Sequence, residues 1–405
     1  MSERVEARWL ADHEVERVMH ALAAGGRPAR FVGGCVRDAL LDPLDNTPDL
    51  DLATPERPER VMRLLAAQGL KPLPTGLRHG TVSTVLGDRR FEITTLRRDV
   101  ATDGRHAEVE FTDDFEADAA RRDFTINAMS CEADGTLHDP MGGRADLAAG
   151  RVRFVGDPRR RIAEDYLRIL RFFRFHARLG RGEPDPAGLV ACAELTAGID
   201  GLSGERVRQE LWLILGGTEP LRALGPMADA GVLARVVPGP LALQALAALV
   251  AQGAPVDPPL RLAALLRPAE AGRVEAVAGR LRLANRERER LLALVTTPLP
   301  VGDAQAQRRA LHRLGADLYR DLLRLGEATG KLDAAEAVGL RALAADWRAP
   351  AFPLAGADLL ALGVHEGPAV GRIIALVRAE WEKSDFSLDR DACLALARSH
   401  VGELG

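Results

Sequence analysis

Apolar and polar residues alternate in short runs through the first 111 residues of the chain. Residues 29–32, 50–53, 81–86, 90–96 and 109–111 each read as a strand set off by Gly, Pro or Asp. Between them, 57–68 carries Val61, Leu64 and Leu65 at helical spacing. From about residue 158 the strand signals fade and an Ala/Leu/Arg-rich helical period takes over. Pro and Gly punctuate it at 182–186, 216–220, 238–240, 253–259 and 349–353. No fixed-period repeat or heptad run is present. The pattern predicts one α+β domain followed by a long helical remainder.

Composition narrows the class of protein. A chain of 405 residues with 47% hydrophobic content exceeds one ordinary domain and has ample material for a packed core. Its most apolar run, 241–251, is too short to span a bilayer, and residues 1–8 lack the apolar centre of a signal peptide. Cys35, Cys131, Cys192 and Cys393 lie far apart with no Cys-x-x-Cys pair, which suits a reducing compartment and offers no zinc site. The expectation is a cytoplasmic protein with no membrane partner. Oligomeric state has no signal in the sequence.

The net charge of −4 is an average over unlike segments. Residues 1–150 carry −8, residues 151–217 carry +3, and the remainder +1. Within 151–181, ten Arg stand against three acidic residues, so a partner bearing phosphates fits this stretch. All but three of the basic residues are Arg, so a single Arg carries little weight.

Three constellations can carry chemistry. In the first, an apolar strand ends at Gly33-Gly34, and a helix starts with Arg37 in its first turn. Paired glycines let backbone N–H groups approach a phosphate, and a helix N-terminus favours an anion there. Asp49 and Asp51 follow in Asp-Leu-Asp. On a strand they face the same side, and two carboxylates so placed are best explained by shared cations, with Mg²⁺ on a nucleotide's phosphates the natural choice. Glu92 is either a third carboxylate from a neighbouring strand or an outward-facing residue. In the second, Arg121-Arg-Asp-Phe-Thr-Ile-Asn127, Arg122 can fork onto a phosphate and Asp123 can accept ribose hydroxyls. Thr125 and Asn127 can brace the turn. The third runs from Glu164 to Arg178 as an amphipathic helix. Ile169, Leu170, Phe173 and Ala177 form one face, with Arg168, Arg171 and Arg178 opposite. Asp165 and Arg168, three apart, can pair or together match the edge of a base. The alternative for this stretch is a solvated face with local ion pairs. His138-Asp139 lacks the partners of a phosphohydrolase dyad, and no Walker lysine loop, Gly-x-Ser-x-Gly elbow or His-Glu-x-x-His occurs.

In this order the three constellations resemble the class II tRNA nucleotidyltransferase and bacterial poly(A) polymerase family. Ser203-Gly-Glu205-Arg206 resembles the family's bracing motif, and His79-Gly80-Thr81 with Glu92 its catalytic sheet. The match is dense over about 31–215, weaker beyond, and returns near Leu354. The resemblance implies a polymerase-β-like nucleotidyltransferase palm with a small mixed sheet, followed by all-helical neck, body and tail. The parts would be residues 1–150, 151–217, 218–348 and 349–405. It implies CTP and ATP as substrates, tRNA as partner, and two Mg²⁺ held by Asp49 and Asp51. Gly33, Gly34, Arg37 and Arg122 would contact phosphates, with Asp123 near the ribose. Asp165 and Arg168 would present a protein template to the base, and Arg171 and Arg174 would complete the pocket. Asn127, Glu164, Glu205 and Arg206 would support them. The expected reaction is addition of the 3′-terminal CCA of tRNA. Poly(A) addition, CC-only or A-only addition, and a non-catalytic RNA-binding relative are the alternatives. The stretch 96–118, with Asp103 and Arg105, has the length of a full CCA-adding member, and the C-terminal end shows no basic extension of the poly(A) polymerase kind.

Overall fold

The computed structural model describes residues 4–44, 49–77, 80–102 and 107–404, with side chains left undescribed at 99–102, 107–109 and 402–404. His79, Asp103 and Arg105 lie outside the described residues. The chain forms two compact units. One comprises the residues up to Gly239 with Gly279–Arg282, and the other Pro240–Ala278 with the residues from Leu283 onward.

Among the described residues the first unit holds nine strands: β1 (Arg30–Val32), β2 (Asp49–Thr54), β3 (Leu73–Gly76), β4 (Thr81–Leu86), β5 (Arg89–Thr95), β6 (Arg97–Thr102), β7 (Ala107–Phe111), β8 (Ser130–Cys131) and β9 (Leu137–His138). Seven form one sheet in the order β3-β4-β5-β2-β1-β8-β9, and β6 and β7 form a separate hairpin. Among the described residues β2 and β5 pair in parallel and the other neighbours antiparallel, so the sheet is mixed, in keeping with the α+β reading. Helices α1 (His13–Ala23), α2 (Gly34–Leu41), α3 (Pro58–Ala67), α4 (Phe115–Ala120), α5 (Gly143–Ala149), α6 (Pro158–Glu164), α7 (Leu167–Leu179), α8 (Pro186–Glu194), α9 (Gly204–Leu215), α10 (Leu221–Asp229) and α11 (Val232–Val236) complete it. The second unit is helical throughout, from Leu243–Ala251 to Arg390–Leu404. Among the described residues no helix is long and apolar enough to cross a membrane.

Strand alternation decides which side of β2 faces the core. Leu50 and Leu52 are fully buried while Asp49 and Asp51 are exposed. Phe91 and Ile93 do the same on β5, and Trp9 meets Phe31 of β1 edge-on at 4.7 Å. Beyond the sheet, Phe124, Phe154, Phe172 and Phe175 join β8's approach and α7 in one aromatic cluster, with centroids 4.8–6.4 Å apart. This cluster fixes α7 beside the sheet.

Two expectations need correction here. The amphipathic stretch from Glu164 is not one helix, because α6 ends at Glu164 and α7 begins at Leu167. Asp165 is extended (φ −157°, ψ 105°) and its carboxylate accepts from the Leu167 N–H at 3.1 Å, a local bond that competes with helix continuation. The apolar side of α7 is also wider than four residues. Leu167, Phe172, Phe175 and His176 are buried along with Ile169, Leu170 and Phe173, while Ala177 is half-buried.

Candidate active site

The site starts from β2. Its register with β5 sets Asp51 directly beside Glu92 and Asp49 beside Arg90. Glu92 is held by Arg90 at 2.5 Å, so its carboxylate is committed along its own strand. The Asp51 carboxyl opens on the cleft yet is held above the ordinary carboxylate range. Loss of surrounding water is the main cause, followed by the charges of Glu92 and, more weakly, Asp49, with Arg122 opposing. Among the described residues no group of three His, Cys, Asp or Glu converges to hold a metal. Two strand carboxylates in mutual repulsion nevertheless form an all-oxygen donor set that suits a hard divalent cation whose shell is completed by water and phosphate. The residues present fit Mg²⁺.

Next to Asp51 the chain leaves β1 through Gly33. Its φ of +73° and ψ of −126° are open to glycine, and its N–H donates to the Met129 carbonyl at 3.2 Å. A Cβ there would also sit 3.0 Å from the Arg122 guanidinium. Gly34 then opens α2, whose third residue beyond it, Arg37, is buried. Arg37 donates to Asp38 at 2.9 and 2.8 Å and to Asn127 Oδ1 at 2.5 Å.

Residues 118–127 face this turn. The buried Asp118 accepts from Arg121 at 2.7 and 2.9 Å, from Arg122 at 3.2 Å and from the Arg97 backbone at 3.3 Å. Burial alone would raise its carboxyl; Arg121 and Arg122 more than offset that and hold it below the ordinary range. Arg122 also donates to the Asn127 carbonyl at 3.3 Å. Asp123 is buried and occupied: Oδ1 accepts from Phe124 N–H (2.9 Å) and Asn127 Nδ2 (3.0 Å), and Oδ2 from Arg171 Nε (2.7 Å). Its carboxyl is likewise lowered, since Arg171 and these donors outweigh the burial. In this structure Asp123 anchors Arg171.

The α6–α7 junction and α9 supply the remaining wall. Glu164 receives Arg168 at 2.6 Å, Arg161 at 2.9 Å and Arg160 at 3.8 Å. Arg168 also donates to the Arg161 and Arg121 carbonyls at 2.8 and 3.3 Å. Asp165 pairs with Arg206 of α9 at 2.7 Å. Of the two alternatives for Asp165 and Arg168, they do not pair with each other here: each has its own partner, because the helix break turns Asp165 out of register. Arg174 meets the buried Glu210 of α9 at 2.6 Å, and Arg171 reaches the same carboxylate at 3.6 Å. Glu205 lies in the first turn of α9, which Ser203 caps. Its carboxyl is lowered chiefly by hydrogen bonding with its own backbone, with Ser203 also contributing.

These side chains line one cleft of about 520 Å³ in the first unit. Gly33, Gly34, Asp51, Arg122, Asp123 and Asn127 line it together with Asp165, Arg168, Arg171, Arg174 and Arg206. Eight arginines and three aspartates contribute to its lining, which makes it a receptor for a polyanion.

A family model described as the Poly A polymerase head domain matches residues 29–153. The human mitochondrial CCA tRNA nucleotidyltransferase 1 is 35% identical over 379 residues, covering 90% of this chain and 85% of the relative. The chain belongs to the tRNA nucleotidyltransferase and poly(A) polymerase family. Another member, the CCA-adding enzyme of Geobacillus stearothermophilus, is 38% identical over 220 residues, 53% of this chain and 52% of that one. The crystal structure of the Bacillus stearothermophilus CCA-adding enzyme in complex with CTP shares the fold, with a TM-score of 0.73 at 24% identity over 96% of both chains.

Three residues of this family member's cleft escaped the sequence reading. Asp118 holds Arg121 and Arg122 from the preceding helix, and its i+3 and i+4 spacing to them was available as a signal. Glu210 and Phe175 act across elements, and no local pattern distinguishes them from ordinary helix positions. His138 and Asp139 do not converge: His138 meets Glu132 at 2.8 Å, while Asp139 accepts from the first N–H groups of α5.

Proposed function

We propose that this chain adds or repairs the 3′-terminal CCA of tRNA, using CTP and ATP without a nucleic-acid template. The observation that carries this reading is that Asp51, the Gly33–Gly34 turn and the arginines of α7 line the same cleft. Family membership and relatives named as CCA tRNA nucleotidyltransferases support it. In the reaction, the RNA 3′-hydroxyl oxygen bonds to the nucleotide α-phosphorus, the bond to the β-phosphate bridge breaks, and pyrophosphate leaves. Arg37, Arg122, Arg171 and Arg174 bind the triphosphate, the first from behind the glycine turn where backbone N–H groups add to it. Asp123 holds Arg171, and through Asn127 it also orients Arg37. Asp165 and Arg168, each fixed by its own partner, Arg206 and Glu164, offer an acceptor and a donor fork to the base edge. Asp49 and Asp51 would hold two Mg²⁺, which when bound neutralise the phosphates and acidify the attacking hydroxyl. Glu92 borders this pair as a further carboxylate.

We assign 1–150 to the head, 151–217 to the neck, 218–348 to the body and 349–405 to the tail, with the helical parts holding tRNA. A cytoplasmic location is part of the proposal, and four free, buried cysteines suit that reducing environment. The decisive experiment gives the protein tRNA ending at the discriminator base, with CTP, ATP or both, and sequences the products. Addition of two C and one A followed by a halt is the expected result. Only C-C, only A on a C-C end, or a long A tail would assign the chain to a sibling activity. No incorporation with tRNA still bound would leave an RNA-binding relative.

A further inference from the structure

Phe175 occupies a singular position in the cleft. Its ring lies among three guanidinium groups from two segments: Arg174 with its carbon 4.3 Å from the ring centroid, Arg37 at 5.1 Å and Arg171 at 5.3 Å. The side chain is buried yet lines the cleft. Three like charges so close together would spread apart unless something held them. A belt of hydrogen bonds does so around the ring. Arg37 is tied to Asp38 and, through Asn127, to Asp123; Asp123 holds Arg171; Glu210 holds Arg174 and approaches Arg171. The negative face of the ring completes the arrangement by attracting each cation in a region shielded from water. A guanidinium has five N–H donors, so each can serve its carboxylate and a phosphate together.

We propose that Phe175 is a positioning residue for the triphosphate: its ring holds Arg37, Arg171 and Arg174 at set places on the cleft wall. The proposal rests on the nucleotidyltransferase reading above. Phe175 touches no reacting atom. It acts through the three arginines, and because CTP and ATP share the triphosphate, its contribution is the same for both.

The test compares F175L, which keeps apolar bulk without the aromatic face, with F175Y, which keeps the face. The full-length proteins are titrated with CTP, ATP and inorganic tripolyphosphate, and steady-state addition to tRNA is measured alongside. F175L is expected to weaken all three ligands about tenfold and to raise KM for CTP and ATP equally, with kcat changed less than threefold. F175Y is expected to stay within twofold of wild type. If F175L melts early, F175M replaces it, with the same expectation. Unchanged binding in F175L overturns the proposal. So does equal loss in F175L and F175Y, which would mean that volume matters and not the aromatic face. Loss for one nucleotide alone also overturns it, since that is base selection. Failure of wild type to bind any of the three ligands would instead overturn the nucleotidyltransferase reading itself.

Discussion

Replacing Asp51 with Asn should make the metal-free protein more stable while abolishing its activity. Strand register puts Asp51 beside Glu92, and Asp49 stands two residues away on the same face. Facing residues on paired strands lie about 5 Å apart, where two unit charges repel by about 0.8 kcal/mol in water and about 3 kcal/mol at an effective dielectric of 20. The residue is exposed on the outer side of β2 although its carboxyl is partly desolvated, and Arg122 and Arg90 oppose the repulsion, so the lower end applies: a gain of about 1 kcal/mol. For a unit of this size that corresponds to a rise of about 2–4 °C in melting temperature. The assay is thermal unfolding at pH 7.5, with EDTA and then with Mg²⁺. Wild type should gain about 1.4 kcal/mol at ten times the dissociation constant, and D51N much less, so Mg²⁺ narrows or reverses the order. A D51N protein that melts below wild type in EDTA would refute the reasoning, because the carboxylate would then be serving the fold. Equal Mg²⁺ shifts in both proteins would refute the assignment of the cation to this strand.

Three further outcomes follow from the same geometry. Asp49→Ala should reduce nucleotide transfer by at least a thousandfold with tRNA affinity, measured by filter binding, within about threefold; near-normal turnover would remove Asp49 from the cation site. Arg168→Ala should erode the preference for CTP and ATP over UTP and GTP more than it weakens triphosphate binding, and an unchanged preference would end its role at the base. Asp118→Asn should cost about 2 kcal/mol at pH 7.5, because two arginines lose a buried charged acceptor. Its folded carboxyl is lowered, so the stabilisation is complete above the ordinary carboxylate value and disappears as pH falls through the lowered one. The gap between wild type and D118N in chemical denaturation should therefore begin to narrow below about pH 4 and keep narrowing as pH falls further, and a gap that stays constant down to acid unfolding would show that charge is not the source.

How much of this was legible in the chain depends on sequence distance. The alternation at 49–53 was enough to place two aspartates on one face and two leucines in the core, since a strand has period two. Strand β3 was not legible: Leu73–Gly76 carries Pro74 at its centre and no alternation, and it is a strand because β4 pairs with it. Strands β8 and β9 are two residues each and exist through tertiary pairing alone. In the site, Glu164 and Arg168 are four apart and do bond, but across the break between α6 and α7, so helical spacing alone does not account for the pair. The partners of Asp165 and Arg174 lie 41 and 36 residues away on α9, so the ion pairs that orient them depend on how α9 packs against α7. Nothing short of the fold could reveal that.

The same packing changes the meaning of the basic stretch at 151–181. As sequence it is a surplus of arginine facing an unknown anion. In the structure nine of its ten arginines have a carboxylate within ion-pair distance: Asp146 for Arg151 and Arg153, Glu194 for Arg159, and Glu164 for Arg160, Arg161 and Arg168, with Asp123, Glu210 and Asp38 taking Arg171, Arg174 and Arg178. A carboxylate behind a guanidinium lowers the net field but fixes the direction of the remaining N–H groups. An incoming triphosphate then meets donors that need little reorganisation, which is the condition under which charge contacts favour binding and transfer most. The acidic partners are thus part of the phosphate site. A neutral substitution behind an arginine, at Asp123 or Glu210, will disturb nucleotide binding as surely as a substitution of the arginine in front of it.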